Sequence, residues 1–364
     1  MKTALIHDWL VGIGGGEKVL QSILELYPSP IYTLIQDEKK LRGTFFSDQL
    51  IHSSFLQKLP FAPKYFRNLL PFFPFAIKGF DLESYDLILS SSHAVAKGIV
   101  KKPHQLHICY CHTPMRYAWD LYHEYLKDLK GLRKLAVKLS LQYLRNWDVK
   151  SAKQVDYFIA NSCHVAKRIQ KTYGKVSEVI YPPVNTHLFA VNSKREEYYI
   201  TVSRLVPYKK VDLIVEAFSK MEDKTLVVIG DGPDFNKIKA KASKNIHLLG
   251  HQHDADLRDC LSKAKAFVFA AEEDFGIVPV EAQASGIPVI AYGRGGALET
   301  VSQKTGLFFY EQTVPALCQA IASFEKKQKE FDPHIIKQHA EIFNENRFKQ
   351  QFKSFVDQKI SNTL

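Results

Sequence analysis

Residues 266–292 read AFVFAAEEDFGIVPVEAQASGIPVIAY. Two short runs, AFVFA (266–270) and IPVIAY (287–292), are continuously apolar, as strands buried on both faces are. Between them lies an acid-rich loop, EEDFG (272–276), and then a helical stretch that the spacing opens near Pro279, since proline suits a first helical turn. Strand, loop, helix, strand is the repeating unit of a parallel sheet. Glu273 and Glu281 stand with seven residues between them, Phe-Gly-Ile-Val-Pro among these. A purely structural loop does not need this set. A site for a charged, hydroxyl-rich ligand does.

The same pattern extends outward in both directions. Further strands are expected at 2–7, 86–91, 106–111, 157–162, 178–183, 198–203, 225–230 and 246–250, with helical segments such as GEKVLQSILELY and VDLIVEAFSKM between them. The fold class is therefore α/β, with doubly wound parallel sheets. The chain has 364 residues, enough for two domains with separate cores. Residues 181–197, YPPVNTHLFAVNSKREE, carry two prolines and no periodicity, so they read as the linker. The expected organisation is a Rossmann-like domain at 1–183, a second at 184–345, and a helix at 346–364 that packs back toward the first.

Composition narrows the class. Hydrophobic content of 46% and charged content of 24% fit a soluble globular protein. No apolar run reaches the roughly 20 residues of a membrane span. His7 and Asp8 follow the first apolar run closely, so the N-terminus does not read as a signal peptide. Five cysteines, an odd number, read as reduced thiols in a cytoplasmic setting. Residues 1–180 hold 25 Lys/Arg against 15 Asp/Glu, and 181–364 hold 24 against 23, so the excess of +11 sits almost wholly in the first half. That half calls for an anionic partner.

Polar residues cluster after the strands, where ligands bind in open α/β sheets. SRLVPYKK (203–210) follows 198–203, and its Arg204 and Lys209 offer a fork and a point charge suited to a diphosphate; a solvated loop is the plainer alternative. In EEDFGIVPVE the free N–H groups of Gly276, Ile277 and Val278 suit an anion. Glu281 would accept from ribose hydroxyls and Glu273 from a sugar, although a first-turn acid also complements the helix dipole. GIGGGEKVL (12–20) brings Gly14, Gly15 and Gly16 to a strand-to-helix loop that can approach a phosphate or sugar closely. Glu17 stands where a dinucleotide fingerprint needs glycine, which argues against a nicotinamide oxidoreductase. GDGPD places Gly230 and Asp231 after another strand.

CYCHTPMRYAWD (109–120) puts His112 and Arg116 beyond a buried strand. His112 could bond a substrate hydroxyl or be a satisfied structural histidine. Cys109 and Cys111 have no second ligand pair at zinc spacing, so no metal is expected there. In HQHDADLRD (251–259), Asp254 reads as the cap of the following helix rather than a metal ligand. Two segments suggest an interface with an anionic leaflet: the aromatic, proline-broken run 59–80, and 126–153, where eight Lys/Arg surround an apolar stripe. A hydrophobic acceptor groove for the first and ordinary packing for the second are the alternatives. Nucleic acid is excluded by the acid-rich cleft.

Taken in this order, SRLVPYKK, GDGP, the Glu-x7-Glu of EEDFGIVPVE, HDWLVGIGGGEKVL, SSSHAVAKG (90–98) and CHTPMRYAWD resemble the retaining glycosyltransferases of family 4 over nearly the whole chain. The last three resemble a bacterial subgroup, often mannosyltransferases of surface-polysaccharide assembly. The resemblance implies the GT-B fold, two Rossmann-like domains facing across a cleft, with the acceptor on the N-terminal side and a nucleotide sugar on the C-terminal side. It implies that Arg204 and Lys209 neutralise the leaving diphosphate. Glu273 would hold the sugar's hydroxyls, with Glu272 and Asp274 as neighbouring candidates, and Glu281 the ribose. His112 would contact the sugar, and the backbone at 275–277 and 14–16 would bind sugar and phosphate. It implies no metal and no cofactor. The expected activity is transfer of a hexose, foremost mannose from GDP-mannose, to a lipid-linked saccharide at the cytoplasmic membrane face. A UDP-sugar donor and a non-catalytic binding protein are the alternatives.

Overall fold

The computed structural model describes the whole chain except Leu121, Asp128, Ser193 and Leu364, and the side chains at 123–125 and 363. Asp128 of the basic segment and Ser193 of the linker thus lie outside the described residues. Met1–Pro183 with Phe348–Leu364 form one compact unit, and Val184–Arg347 form the other.

The first unit is a seven-stranded parallel sheet. Its strands are β1 (Thr3–His7), β2 (Ile31–Thr33), β3 (Ile51–Ser53), β4 (Leu87–Ser92), β5 (Leu106–Cys111), β6 (Tyr157–Ala160) and β7 (Ser177–Val179), in the order β3-β2-β1-β4-β5-β6-β7. Every residue of β4 and β5 is buried, which is why their sequences show no alternation. The chain winds outward from β1 in one direction and from β4 in the other. Their carboxyl ends therefore flank the switch point where such sheets bind ligands. The C-terminal helix Glu345–Thr363 buries Phe348, Phe352 and Val356 with Tyr110, Leu20 and Ile23. Tyr27 donates to Asp357 (3.0 Å), and Lys349 pairs with Glu25 (2.5 Å), fixing that helix to the unit.

The second unit has six parallel strands: β8 (Tyr198–Val202), β9 (Thr225–Ile229), β10 (Ile246–Gly250), β11 (Ala266–Phe269), β12 (Val289–Tyr292) and β13 (Gly306–Phe309), in the order β10-β9-β8-β11-β12-β13. Here the switch point falls between β8 and β11. Its core is the usual aliphatic and aromatic set, Tyr199, Phe218, Leu226 and Ile290 among them.

Three strands, β2, β3 and β13, are absent from the sequence reading; each keeps partly exposed positions within its short run. Two strand ends also move. β6 stops at Ala160, since Ser162 instead caps the next helix by accepting from Val165 N (3.0 Å). β7 stops at Val179, before the two prolines. Asp254 is the first residue inside the helix Asp254–Lys263 rather than its cap, so it acts through the helix dipole. Cys109 and Cys111 are buried together in β5, and none of the five cysteines is in a disulfide.

Candidate functional site

In the second unit, β8 and β11 are neighbours, so the loops that follow them meet. Residues 203–210 leave β8, turn through a 3₁₀ segment at Pro207–Lys209, and pass Lys210 in the left-handed region (φ 57°). The turn aims the Lys209 ammonium at the Glu273 carboxylate, with which it forms an ion pair. The pair is mostly shielded, at 19% and 16% exposure. The Lys209 ammonium also lies over the Tyr208 ring at 5.6 Å. Arg204, in the same loop, is exposed.

Gly230 and Asp231 hold this loop in place. Gly230 sits at φ +133°, and a Cβ there would lie 1.9 Å from the Ser203 carbonyl oxygen. Gly232 is similarly pressed on Leu205 (2.3 Å). Leu205 N donates to the Asp231 carbonyl (2.9 Å), and Asp234 N donates to that of Leu205 (3.1 Å). The side chain of Asp231 accepts from Gly232 N (2.7 Å). GDGP is thus a template on which the Arg204 segment is laid down.

Beyond Glu273, Phe275 turns inward; its ring is buried and meets Phe343 at 5.5 Å. Only its backbone can serve a ligand. Gly276, at φ +89°, is the N-cap of the helix Ile277–Ala284. Pro279 is the third helical residue, within the first turn as expected, where its missing N–H costs nothing because the first four N–H groups have no intrahelical acceptor. Glu281 lies on the second turn and is 8% exposed. A feature missed in the sequence lies opposite: the loop YGRGGA (292–297). Gly296 N donates to the Glu273 carbonyl (2.8 Å). A Cβ at Gly295, itself at φ +63°, would sit 2.3 Å from that carbonyl oxygen, and one at Gly296 would sit 2.4 Å from Phe275. Two residues without side chains let this backbone brace the Glu273 loop.

In the first unit the strand-end cluster is built around two acids. Asp8, fully buried after β1, accepts from the backbone N–H groups of His93 (2.7 Å), Ala94 (3.0 Å), Val95 (2.6 Å) and Ala96 (2.7 Å). One carboxylate thereby fixes the whole turn after β4. Burial works to raise its pKa, but His93, His7 and the backbone donors outweigh it and hold the carboxyl below its ordinary value. The His93 Nδ1 faces Asp8 at 3.1 Å, and its ring stands edge-on to Trp9 at 4.5 Å.

Gly14 caps the helix Gly15–Leu26 in extended geometry, with Gly15 and Gly16 its first two residues. Gly14 N donates to Glu17 Oε2 (2.8 Å), while Glu17 Oε1 faces His7 Nε2 (3.5 Å). Gly16 adjoins two imidazoles: a Cβ there would lie in ordinary contact, 3.8 Å from both His7 and His112. His112, at the end of β5, bonds Ser91 through Nε2 (2.8 Å), and its carbonyl accepts from Asn161 (2.9 Å). Burial, with the neighbouring imidazoles of His93 and His7, pushes its pKa down to about 3, so the ring stays neutral. Composition and spacing did not single out His7, Asp8, Ser91 or His93. Their signal is topological, because it needs β1 beside β4.

The predicted residues thus fall into two clusters, one per unit. Lys209 and Glu273 are in contact, with Gly276 and Glu281 on the adjoining helix. His112 and Gly16 adjoin in the other. Among the described residues no group of three His, Cys, Asp or Glu side chains is arranged to hold a metal ion.

The chain is similar to known proteins. Residues 41–188 match the family described as Glycosyltransferase Family 4, and residues 185–342 match Glycosyl transferases group 1. A GDP-mannose-dependent monoacylated alpha-(1-6)-phosphatidylinositol monomannoside mannosyltransferase of Corynebacterium glutamicum is 34% identical over 134 residues, which is 33% of this chain and 35% of that protein. The alpha-1,3/1,6-mannosyltransferase ALG2 of Kluyveromyces lactis is 22% identical over 73% of this chain and 60% of its own length. The chain thus spans between about a third and three fifths of these relatives. Among solved structures, HepE of Anabaena in complex with UDP superposes with a TM-score of 0.72 at 17% identity, covering 98% of this chain and all of that one. The fold is GT-B, and the chain belongs to the family 4 glycosyltransferases.

Proposed function

We propose that the protein is a retaining hexosyltransferase that moves mannose from GDP-mannose to a lipid-linked oligosaccharide or surface-polysaccharide acceptor. The observation that carries this reading is the Lys209–Glu273 pair at the β8/β11 switch point, beside a helix N-terminus that Gly276 opens. Cleavage at an anomeric carbon leaves an oxocarbenium-like centre and a departing diphosphate, so stabilising that anion is the main catalytic task. Lys209 and Arg204 supply the cations, and the N–H groups at 275–277 add to them. Glu281 takes the ribose hydroxyls and Glu273 those of the sugar. In the first unit, Gly14–Gly16 and His112 form a second candidate cluster for binding a sugar or phosphate. This reading uses no double-displacement nucleophile of the kind a retaining glycosidase has. Same-face attack follows, with the leaving phosphate taking the acceptor's proton, and the reaction needs no metal.

Mannose is favoured by the names of both relatives, and GDP by the first of them. HepE, which was solved with UDP, keeps a UDP-sugar as the second donor. The acceptor side is proposed to lie on the anionic inner membrane face, held by exposed apolar and basic residues of the first unit. Among the described residues no helix is long and apolar enough to cross a membrane.

The experiment is direct. The protein is mixed with GDP-mannose and a lipid-linked acceptor, with and without a chelator, and both released nucleotide and the product's anomeric configuration are read by NMR. An α-linked product, formed equally with chelator, is expected. A β-linked product overturns retention. Binding without release of nucleotide from GDP-, UDP- or ADP-sugars assigns a non-catalytic role.

A further inference from the structure

His112 is held by a line of polar groups that runs through the first unit. Glu17 Oε1 stands 3.5 Å from His7 Nε2, His7 Nδ1 3.1 Å from Ser91 Oγ, and Ser91 Oγ 2.8 Å from His112 Nε2. His7 and Ser91 are fully buried, so water does not rearrange their bonds. Glu17 is in turn fixed by Gly14 N.

Proton counting gives this line a direction. A lone pair on His7 Nε2 would face a carboxylate, so that nitrogen carries the hydrogen. In neutral His7, Nδ1 is then the acceptor. Ser91 has one proton, and it goes to His7 Nδ1. The serine oxygen is left to accept, so His112 Nε2 must carry a hydrogen and donate. The remaining nitrogen of His112, Nδ1, keeps its lone pair.

We infer that Glu17, His7 and Ser91 are positioning residues that fix the tautomer of His112, so that its Nδ1 meets the ligand as a hydrogen-bond acceptor. An acceptor there selects a hydroxyl that can donate, as a sugar has, over a carbonyl or ether oxygen. The logic is that of an orienting acid behind an imidazole, extended by one serine. The ligand's being a sugar rests on the function proposed above; the tautomer does not.

The test is ¹⁵N NMR of the full-length protein labelled at histidine, with the His112 signals identified by their loss in His112→Asn. In the wild type, His112 is expected as the pure Nε2–H tautomer at neutral pH. In Ser91→Ala it becomes a mixture. Glu17→Gln leaves the serine in place and gives the same loosening, which keeps the test intact if Ser91→Ala fails to fold. A wild-type Nδ1–H tautomer overturns the inference, as does an unchanged tautomer in either variant. Kinetics separate this from the functional reading. With donor saturating, Ser91→Ala should lower kcat about tenfold or more while melting cooperatively. A mixed tautomer with an unchanged rate would leave the relay standing and remove His112 from the chemistry.

Discussion

The Lys209 ammonium and the Glu273 carboxylate neutralise each other in a mostly shielded setting. An anion that comes to Lys209 must compete with Glu273. In the proposed reaction the acid turns to the sugar as the cation turns to the diphosphate, so the pair is a preformed set of partners rather than a stabilising device. Glu273→Gln keeps the shape and removes the competitor. It should bind free nucleoside diphosphate about fivefold more tightly, the equivalent of ~1 kcal/mol, while transfer falls about a hundredfold or more. Calorimetry with GDP and UDP checks the first half; weaker nucleotide binding by the variant would refute this account of the pair.

Arg204 and Glu281 differ in burial, and their variants should differ accordingly. Arg204 is exposed, whereas Glu281 is 8% exposed within a packed helix. Arg204→Ala should leave unfolding within about 0.5 kcal/mol of wild type but cut kcat about a hundredfold. The near-isosteric Glu281→Gln should fold normally and raise the donor KM at least tenfold, since it weakens bonds to ribose that ground and transition states share. Chemical denaturation paired with donor titration separates the two effects. Full activity in either variant would count against the site.

Gly295 tests the brace. Its φ of +63° and the 2.3 Å approach to the Glu273 carbonyl leave no room for a methyl group. Gly295→Ala should cost about 2 kcal/mol or more through left-handed strain and displacement of the loop. Because the loop it moves carries Glu273, activity should fall further than stability alone explains, as measured well below the variant's own Tm.

Asp8 gives a stability prediction with a definite sign. Its pKa in the fold lies below the ordinary 3.8. The stability it contributes is therefore fully present above that ordinary value and is lost as pH falls through the folded one. Asp8→Asn offers an N–H₂ group to two of the four backbone donors and should cost about 3 kcal/mol at pH 7. The wild-type and variant curves of unfolding free energy should converge as pH drops from 5 toward 2. Parallel curves would mean that the carboxylate's charge is not what clamps residues 93–96.

The sequence revealed the fold wherever a strand was a continuous run buried on both sides. AFVFA and LHICYC are such runs, whereas Ile31–Thr33 and Gly306–Phe309 keep partly exposed residues within them. It singled out Lys209 and Glu273, which the structure brings into contact, because polar residues at strand ends stand out against apolar neighbours. Asp8 looked like the polar stop of an apolar start. Its acceptor role depends on residues 85 to 88 positions away, brought together only because β1 pairs with β4. Gly295 and Gly296 were invisible for another reason: what they contribute is the absence of a side chain beside Glu273.

The first unit also carries an apolar face that its own core does not cover. On the helix Gly131–Ala152, Leu144, Trp147 and Ala152 pack inward, while Leu132, Leu135, Leu139 and Tyr143 are 86%, 54%, 63% and 40% exposed. Their spacing of three and four residues makes a single stripe, which Arg133, Lys134 and Lys138 flank. Phe61, Phe72 and Phe75 are similarly exposed in the segment 59–80, which also carries Lys64, Arg67 and Lys78. Apolar residues interleaved with cations suit the interfacial layer of an anionic bilayer: the leucines enter the acyl boundary, and each cation adds about 1 kcal/mol at low salt. The protein should therefore sediment with phosphatidylglycerol vesicles but not with phosphatidylcholine vesicles. Replacing Leu132, Leu135 and Leu139 together by Ser should weaken that binding about tenfold or more, even if each leucine inserts only in part and gives up ~0.5 kcal/mol. Replacing Arg133, Lys134 and Lys138 by Glu should abolish it in 0.1 M salt. Turnover of a water-soluble acceptor analogue should be unchanged in both variants, and turnover of a vesicle-embedded acceptor reduced in step with binding. Equal vesicle binding by wild type and the leucine variant would assign the stripe to a protein partner instead.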